Sequence, residues 1–267
     1  MNPKSECHTF HAKQAPYALI VGVYNEGDAF IRQLEALQPY RNLADILIAD
    51  GGSTDGATAP VGLRGKACCL LVNTDAQRGL SVQYRIALRY ALEQGYEGVV
   101  MMDGNGKDGP DAIPAFIRAL EDGFDFVQGS RFMRGGVHEH TPLLRMLGIR
   151  LVFNPMLWLA TGYAYTDGMN GFKACSRAFL LHQGVQPLRH VFVRYGLQYY
   201  LNYRAAKLGV RLCEIPVTRR YRGGKTPQSK IVGYKAYLSI LGELLSTVTG
   251  RYDPASPLPL AGEGNEA

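Results

Sequence analysis

Residues 44–56 read ADILIADGGSTDG, a mostly apolar run of six that meets Asp50 and passes directly into a turn of glycine, serine and aspartate. A run this short, stopped by turn residues, suits a strand buried on both faces of a sheet. Working outward, four more runs share its character: YALIVGV at 17–23, ACCLLV at 67–72, EGVVMM at 97–102 and FDFVQ at 124–128. Between them apolar residues recur at helical spacing, as Phe30, Ile31, Leu34 and Leu37, as Leu80, Tyr84, Ala87, Leu88 and Ala91, and as Ile113, Phe116, Ile117 and Leu120. Gly95 and Gly123 stop the last two helices, and Pro110 stands near the start of the third. This alternation predicts an α/β fold, a mostly parallel sheet with helices on both faces.

Such sheets bind ligands beyond the carboxyl ends of their strands. Tyr24-Asn25-Glu26 follows the first run, Asp50 to Gly56 the second, Asp103-Gly104-Asn105 the fourth and Gly129-Ser130-Arg131 the fifth. Any one of these is an ordinary turn composition. Four of them at one sheet edge predict a nucleotide-binding half over 17–130, with Asp50 and Asp103 facing a common cleft. An acceptor half over 131–250 would complete the domain. Residues 1–16 read as an N-terminal extension and 251–267, with Pro254, Pro257 and Pro259, as a disordered tail.

Composition sets the frame. The chain has 267 residues, 46% of them hydrophobic, enough for the core of one large domain. With 29 Lys+Arg against 23 Asp+Glu it carries +6, which favours phosphate-bearing partners. Charge alone does not choose among nucleotides, nucleic acid and an anionic membrane surface; a nucleotide and an anionic membrane surface are the expected partners, and no nucleic acid. Cys7, Cys68, Cys69, Cys175 and Cys213 are odd in number and lack zinc-ligand spacing, so reduced thiols and a cytoplasmic setting are expected. The first fifteen residues lack the apolar core of a signal peptide. The greasy stretch 151–165 is broken by Asn154 and Pro155 and is too short to span, so a soluble or peripheral protein is expected, cytoplasmic and at the inner membrane face where it is peripheral.

Val23-Tyr24-Asn25-Glu26, Asp50 to Gly56, the Asp-x-Asp-like element at Asp103, Gly129-Ser130-Arg131 and Asp167-Gly168-Met169-Asn170-Gly171-Phe172 resemble, in that order, the motif series of family-2 glycosyltransferases. The likeness runs from about residue 17 to about 245 and is nearest to the dolichol/polyprenol-phosphate mannosyltransferase branch. It implies a GT-A fold and an inverting transfer from a UDP- or GDP-sugar to a polyprenyl phosphate. It also implies that Glu26 and Asp50 hold base and ribose with Asn25 beside them, and that Val23, Gly52 and Ser53 shape the same cradle. Tyr24 either flanks the nucleotide or packs on the first helix. Asp103, Arg131 and Asp167 are the catalytic candidates.

Sugar transfer from a nucleotide diphosphate leaves negative charge on the diphosphate, which a divalent ion held by carboxylates would meet. Mg²⁺ or Mn²⁺ is expected on Asp103, with Asn105 as second ligand. Asn105 replaces the usual second aspartate, and Lys107 stands where a neutral polar residue is common. Both changes weaken an ion, although Lys107 turned to the diphosphate would share its task and Asp108 would partly compensate. Gly104 to Gly109 spells G-x-G-x-x-G, but at the fourth strand, where no dinucleotide fingerprint belongs. Gly224-Lys225-Thr226 fails as a P-loop because Arg219 stands where its first glycine is required.

The second half supplies cations. Arg222, Lys225 and Lys230 resemble the family's Arg…Gly-Lys…Ser-Lys loop after a strand at 211–217, and are donor-diphosphate candidates. At least one of Arg219 and Arg220 reads as solvated. The segment 142–161, with Trp158 near its end, reads as an amphipathic or broken helix that either lies in a membrane interface or is buried. By resemblance Arg145 would touch the acceptor phosphate, although Ile149 replaces a common serine there. Residues 231–248 read as a second interfacial helix, through Tyr234, Tyr237, Leu238 and Leu241. Two alternatives stay open: a sugar-hydroxyl acceptor in a glycan, with Asp167 as base or positioning group, and a non-catalytic nucleotide-sugar-binding protein.

Overall fold

The computed structural model describes residues 3–221 and 233–255. Its strands are β1 (Ser5–Thr9), β2 (Tyr17–Val23), β3 (Ala44–Asp50), β4 (Cys69–Asn73), β5 (Gly98–Asp103), β6 (Phe126–Ser130), β7 (Val137–Glu139), β8 (Lys173–Ser176), β9 (Leu212–Pro216) and β10 (Thr218–Arg220). The helices are α1 (Asp28–Leu37), α2 (Pro60–Leu63), α3 (Leu80–Glu93), α4 (Ile113–Glu121), α5 (Leu143–Gly148), α6 (Asn154–Thr161), α7 (Arg177–Leu181), α8 (Gly196–Lys207) and α9 (Tyr234–Val248). Eight strands form one sheet in the order β1-β4-β3-β2-β5-β8-β6-β9, and β7 and β10 pair beside it.

The centre, β4-β3-β2-β5, is parallel, as the sequence predicts. Every residue of β2 and β3 is buried, because helices cover both faces. The pleat divides their side chains between two cores. Ala18, Ile20, Leu47, Ala49 and Met101 pack toward α3 and α8. Leu19, Val21, Val23, Ile46, Ile48, Val100 and Met102 pack toward α1 and α4.

Four features depart from the expectation. The N-terminal extension contributes β1, antiparallel to β4 and so part of the sheet. Between β5 and β6 lies β8, antiparallel to both. The segment 143–161 is one continuous helix of 19 residues with mean hydropathy 1.4, long and apolar enough to cross a membrane by length and composition alone. Asn154-Pro155 does not break it, because a π-turn at Ile149–Phe153 precedes the proline, whose missing N–H and ring then cost no α-helical bond. Finally, the expected tail begins too early. Tyr252 meets Phe192 edge to face at 5.4 Å, and Asp253 accepts from Arg204 at 3.1 Å. Packing that half-buried ring and pairing that charge hold the chain to the domain through Asp253, and 256–267 lie outside the described residues.

Candidate active site

The carboxyl ends of β2, β3 and β5 open into a cleft of about 660 Å³. Its walls include Tyr24, Glu26, Gly51, Arg78 and Gln83 on one side and Asp103, Asn105, Lys107, Arg145 and Arg219 on the other. The loops after β2 and β3 are stitched together. Asn25 N donates to Ser53 Oγ at 3.0 Å, Thr54 N to Asn25 Oδ1 at 2.7 Å and Gly51 N to Val23 O at 2.8 Å. Asn25 holds a left-handed backbone (φ 48°), a conformation that asparagine tolerates. Tyr24, 43% exposed, stands in the cleft wall.

Asp50 does not face this cleft. β2 pairs Val23 with Asp50 and Gly22 with Asp103, so the pleat turns the two carboxylates to opposite faces of the sheet. Asp50 is 3% exposed and accepts from Ser53 N and from the hydroxyls of Ser53, at 2.6 Å, and Thr58, at 3.2 Å. Its work is to shape the Gly51–Ser53 loop from behind. Gly51 takes the cleft position: a Cβ there would lie 2.0 Å from Gln83 Nε2, and one on Gly52 would lie 1.8 Å from Arg78 Nη1. Arg78 donates to Gly51 O at 2.6 Å. Gln83 is 5% exposed, and its Oε1 is buried without a hydrogen-bond partner at the cleft wall. Neither Arg78 nor Gln83 stood out in the sequence, although both flank the glycine that opens α3.

On the opposite wall charge dominates. Arg219 Nη1 reaches both oxygens of Asp108, at 2.7 and 2.6 Å, and Nη2 reaches Asp103 Oδ2 at 2.9 Å. Burial alone would lower the Arg219 pKa, but Asp108 and Asp103 outweigh it and hold the guanidinium charged. Arg219 was read as one of a basic pair; only Arg220 proves exposed, bonded to Glu139 at 2.9 Å. The alternation of β10 turns one arginine in and the next out. Tyr221 gathers three cations over its ring, Lys107 at 5.3 Å, Arg219 at 5.7 Å and Arg145 at 5.8 Å, and its hydroxyl accepts from Arg145 at 3.0 Å. Burial, then Arg219, lower the Lys107 pKa.

Arg131 and Asp167 form a second buried pair, Nε to Oδ2 at 2.6 Å and Nη2 to Oδ1 at 2.8 Å, with Arg131 N on Oδ2 at 3.0 Å. Asp167 is fully enclosed, and Thr166 N and Asp167 N are held by Glu214. An enclosed carboxylate with both oxygens bound to a guanidinium is not placed to take a proton from an acceptor. Arg131, Arg145, Asn170, Tyr195 and Gln198 line a smaller cavity that adjoins the cleft at Asp103. Arg222, Lys225 and Lys230 lie outside the described residues.

The residues around Asp103 do not fit the expected divalent ion. Oδ2 of Asp103 is engaged by Arg219, and Asn105 turns its amide nitrogen to that same oxygen at 3.3 Å while its Oδ1 accepts from Lys107 N. Asp108 is buried and wholly committed to Arg219. A dication prefers several converging oxygens, and here one carboxylate oxygen is left beside two cations. The three-residue grouping of potential ligands among the described residues, His11, Asp45 and Cys68, lies at the other end of the sheet. There Asp45 Oδ2 accepts from Gln14 N, Ala15 N and Tyr96 Oη.

The arrangement has known counterparts. The chain is 28% identical over 233 residues to undecaprenyl-phosphate mannosyltransferase of Micrococcus luteus, covering 86% of this chain and 91% of that one. It is 25% identical over 203 residues to polyprenol monophosphomannose synthase of Mycolicibacterium smegmatis, covering 75% and 76%. Glucosyl-3-phosphoglycerate synthase of Mycobacterium tuberculosis, solved with Mn²⁺, UDP and glucosyl-3-phosphoglycerate, shares the GT-A fold with a TM-score of 0.60 at 16% identity, over 90% of this chain and 81% of that chain. The family model for glycosyl transferase family 2 matches residues 18–182, which take in the loops after β2, β3, β5 and β6 and the Asp167 turn. With those loops building the cleft and that model spanning them, the chain belongs to glycosyl transferase family 2 and is a glycosyltransferase.

Proposed function

We propose that the chain transfers a sugar, with inversion, from a UDP- or GDP-sugar to a polyprenyl phosphate at the cytoplasmic face of the membrane. One observation carries this reading: Arg145 reaches the cleft from a helix whose outer side is exposed and apolar. Leu143, Leu144, Leu147, Leu151, Val152, Trp158 and Leu159 are exposed, while Ile149, Phe153 and Leu157 are buried at four-residue intervals. Tyr234, Tyr237, Leu238, Leu241 and Leu245 of α9 extend an exposed apolar surface. A helix of this kind lies in the interface plane, where its arginine meets a lipid phosphate at headgroup depth. The two mannosyltransferase relatives carry the same acceptor class in their names.

The chemistry follows from the groups present. A phosphate monoester is ionised at neutral pH, so its oxygen attacks the anomeric carbon without a general base, consistent with the enclosure of Asp167. The new C–O bond forms opposite the departing diphosphate oxygen, and the bonding pair leaves with the diphosphate. Lys107, Arg145 and Arg219 stand where that charge develops, preorganised on Tyr221 and the two carboxylates. The test is transfer from a panel of UDP- and GDP-sugars to polyprenyl phosphate in anionic vesicles, with flotation of the chain at low and high salt. Lipid-linked product and salt-sensitive flotation are expected. Product on sugar hydroxyls alone, or no flotation at any salt, overturns the reading.

A further inference from the structure

We infer that Arg219 holds the place of a divalent cation, so that the chain binds its nucleotide diphosphate without metal. This rests on the donor reading above and concerns the means by which the diphosphate is held. The guanidinium sits between Asp103 and Asp108, the two carboxylates nearest the end of β5, and takes one oxygen of the first and both of the second. Its side chain is 9% exposed, and that of Asp108 is fully buried, so the arginine is fixed and does not fold aside for an ion. Lys107 adds a second cation on the same ring of Tyr221. Arg219 thus holds three of the four oxygens of Asp103 and Asp108 before any ligand arrives, and Lys107 and Arg145 share the cleft with Glu26, whereas a dication is drawn to converging oxygens that no cation already holds. The neutral Asn105 fits the same picture, since its amide nitrogen donates to Asp103 and adds no charge.

A buried, doubly anchored guanidinium gives a diphosphate what an ion gives it: fixed positive charge at a fixed distance, with planar N–H donors suited to phosphate oxygens. The pair of carboxylates then serves to aim the arginine, and their usual partner is displaced. Sequence conceals the arrangement, because Arg219 lies in a basic run and meets Asp108 only through pairing of β10 beside the β5 loop, where Gly109 N donates to Thr218 O at 2.9 Å.

The test uses the full chain with UDP and with GDP, titrated calorimetrically in EDTA and again in Mn²⁺, together with an electron paramagnetic resonance titration of Mn²⁺ alone. Affinity for the preferred nucleotide is expected to agree within about twofold in the two buffers, and Mn²⁺ alone to bind no tighter than about millimolar. Arg219→Met, and Arg219→Met with Asp108→Asn as the variant that leaves no unpaired buried charge, should lose about tenfold or more in EDTA and recover in Mn²⁺. A wild-type affinity that falls tenfold in EDTA, or micromolar Mn²⁺ binding to the chain alone, overturns the inference while leaving the donor reading intact. Binding of neither nucleotide in either buffer overturns the donor reading and this inference with it.

Discussion

The loops after β2 and β3 and the segments after β6 and β9 close the same end of one sheet, yet they hold their polar groups by different means. On the first side backbone N–H and hydroxyl donors predominate: Asp50 accepts from Ser53 and Thr58, Asn25 bonds Ser53 and Thr54, and Gly27 N donates to Asp55 at 2.8 Å, while the charged donor Arg78 goes to a neutral backbone oxygen, that of Gly51. On the second, buried guanidinium–carboxylate pairs do the holding, Arg131 with Asp167 and Arg219 with Asp108 and Asp103. A cradle of hydrogen bonds fixes shape and tolerates an isostere. A buried ion pair fixes charge, and losing one partner leaves the other stranded.

The largest effect should therefore come from the second side. Arg131→Ala leaves Asp167 enclosed and unpaired, and chemical denaturation should show a loss of about 3–5 kcal/mol with transfer abolished. Asp167→Asn should be milder, because an amide oxygen still accepts from the arginine. Equal stability of wild type and Arg131→Ala would remove the distinction between the two sides.

The first side should yield less. Asp50→Ala removes the acceptor of three hydrogen bonds in a loop whose backbone lines the cleft, about 1–2 kcal/mol of local order and about a tenfold loss in nucleotide affinity. Asp50→Asn should keep most of the affinity, since Oδ1 still accepts from Ser53 and the new amide can donate to Thr58. A loss as large as in Asp50→Ala would mean that the carboxylate charge itself reaches the nucleotide.

What could be read in advance divides along the same line. Strands β2 to β6 are buried on both faces, so each shows as an apolar run, and the residues ending them fall in or behind the cleft. β1 is a polar edge strand, and β8 carries the buried Lys173, so neither shows an apolar pattern. Asp50 was placed at the correct strand end but on the wrong face, because facing depends on register, and a one-residue offset against β2 is invisible locally. Arg219 was hidden for the related reason that a three-residue strand is too short to declare its pleat. Residues of the strand-end and family motifs were legible, Arg131 and Asp167 among them although their pairing spans 36 positions, whereas the role of Arg219, which meets Asp103 across 116 positions, was not.

Lys173 offers the finest test, because it is a buried charge on the second side held in the manner of the first. It is fully buried, and its ammonium donates to Gln198 O at 3.0 Å and to Asn202 Oδ1, both neutral groups. Burial outweighs its neighbours and brings its pKa down to about 7, from 10.5. Below pH 7 the lysine is protonated in both states, and the folded state bears the whole cost of the buried charge. Between pH 7 and 10.5 the folded chain has shed a proton that the unfolded chain keeps, so the cost shrinks and stability rises with pH, by at most about 1.4 kcal/mol per pH unit. Cys175, pushed up to about 12 by burial, acts in the opposite sense once an unfolded thiol ionises near pH 9, so the window for Lys173 is pH 7 to 9. Lys173→Met has no proton to exchange. Its melting temperature should change less between pH 7 and 9 than that of wild type, whatever the substitution does to stability at any single pH. Parallel curves for the two proteins would show that the ammonium finds an anionic partner when the chain folds, and Lys173 would then join the ion-paired side of the comparison.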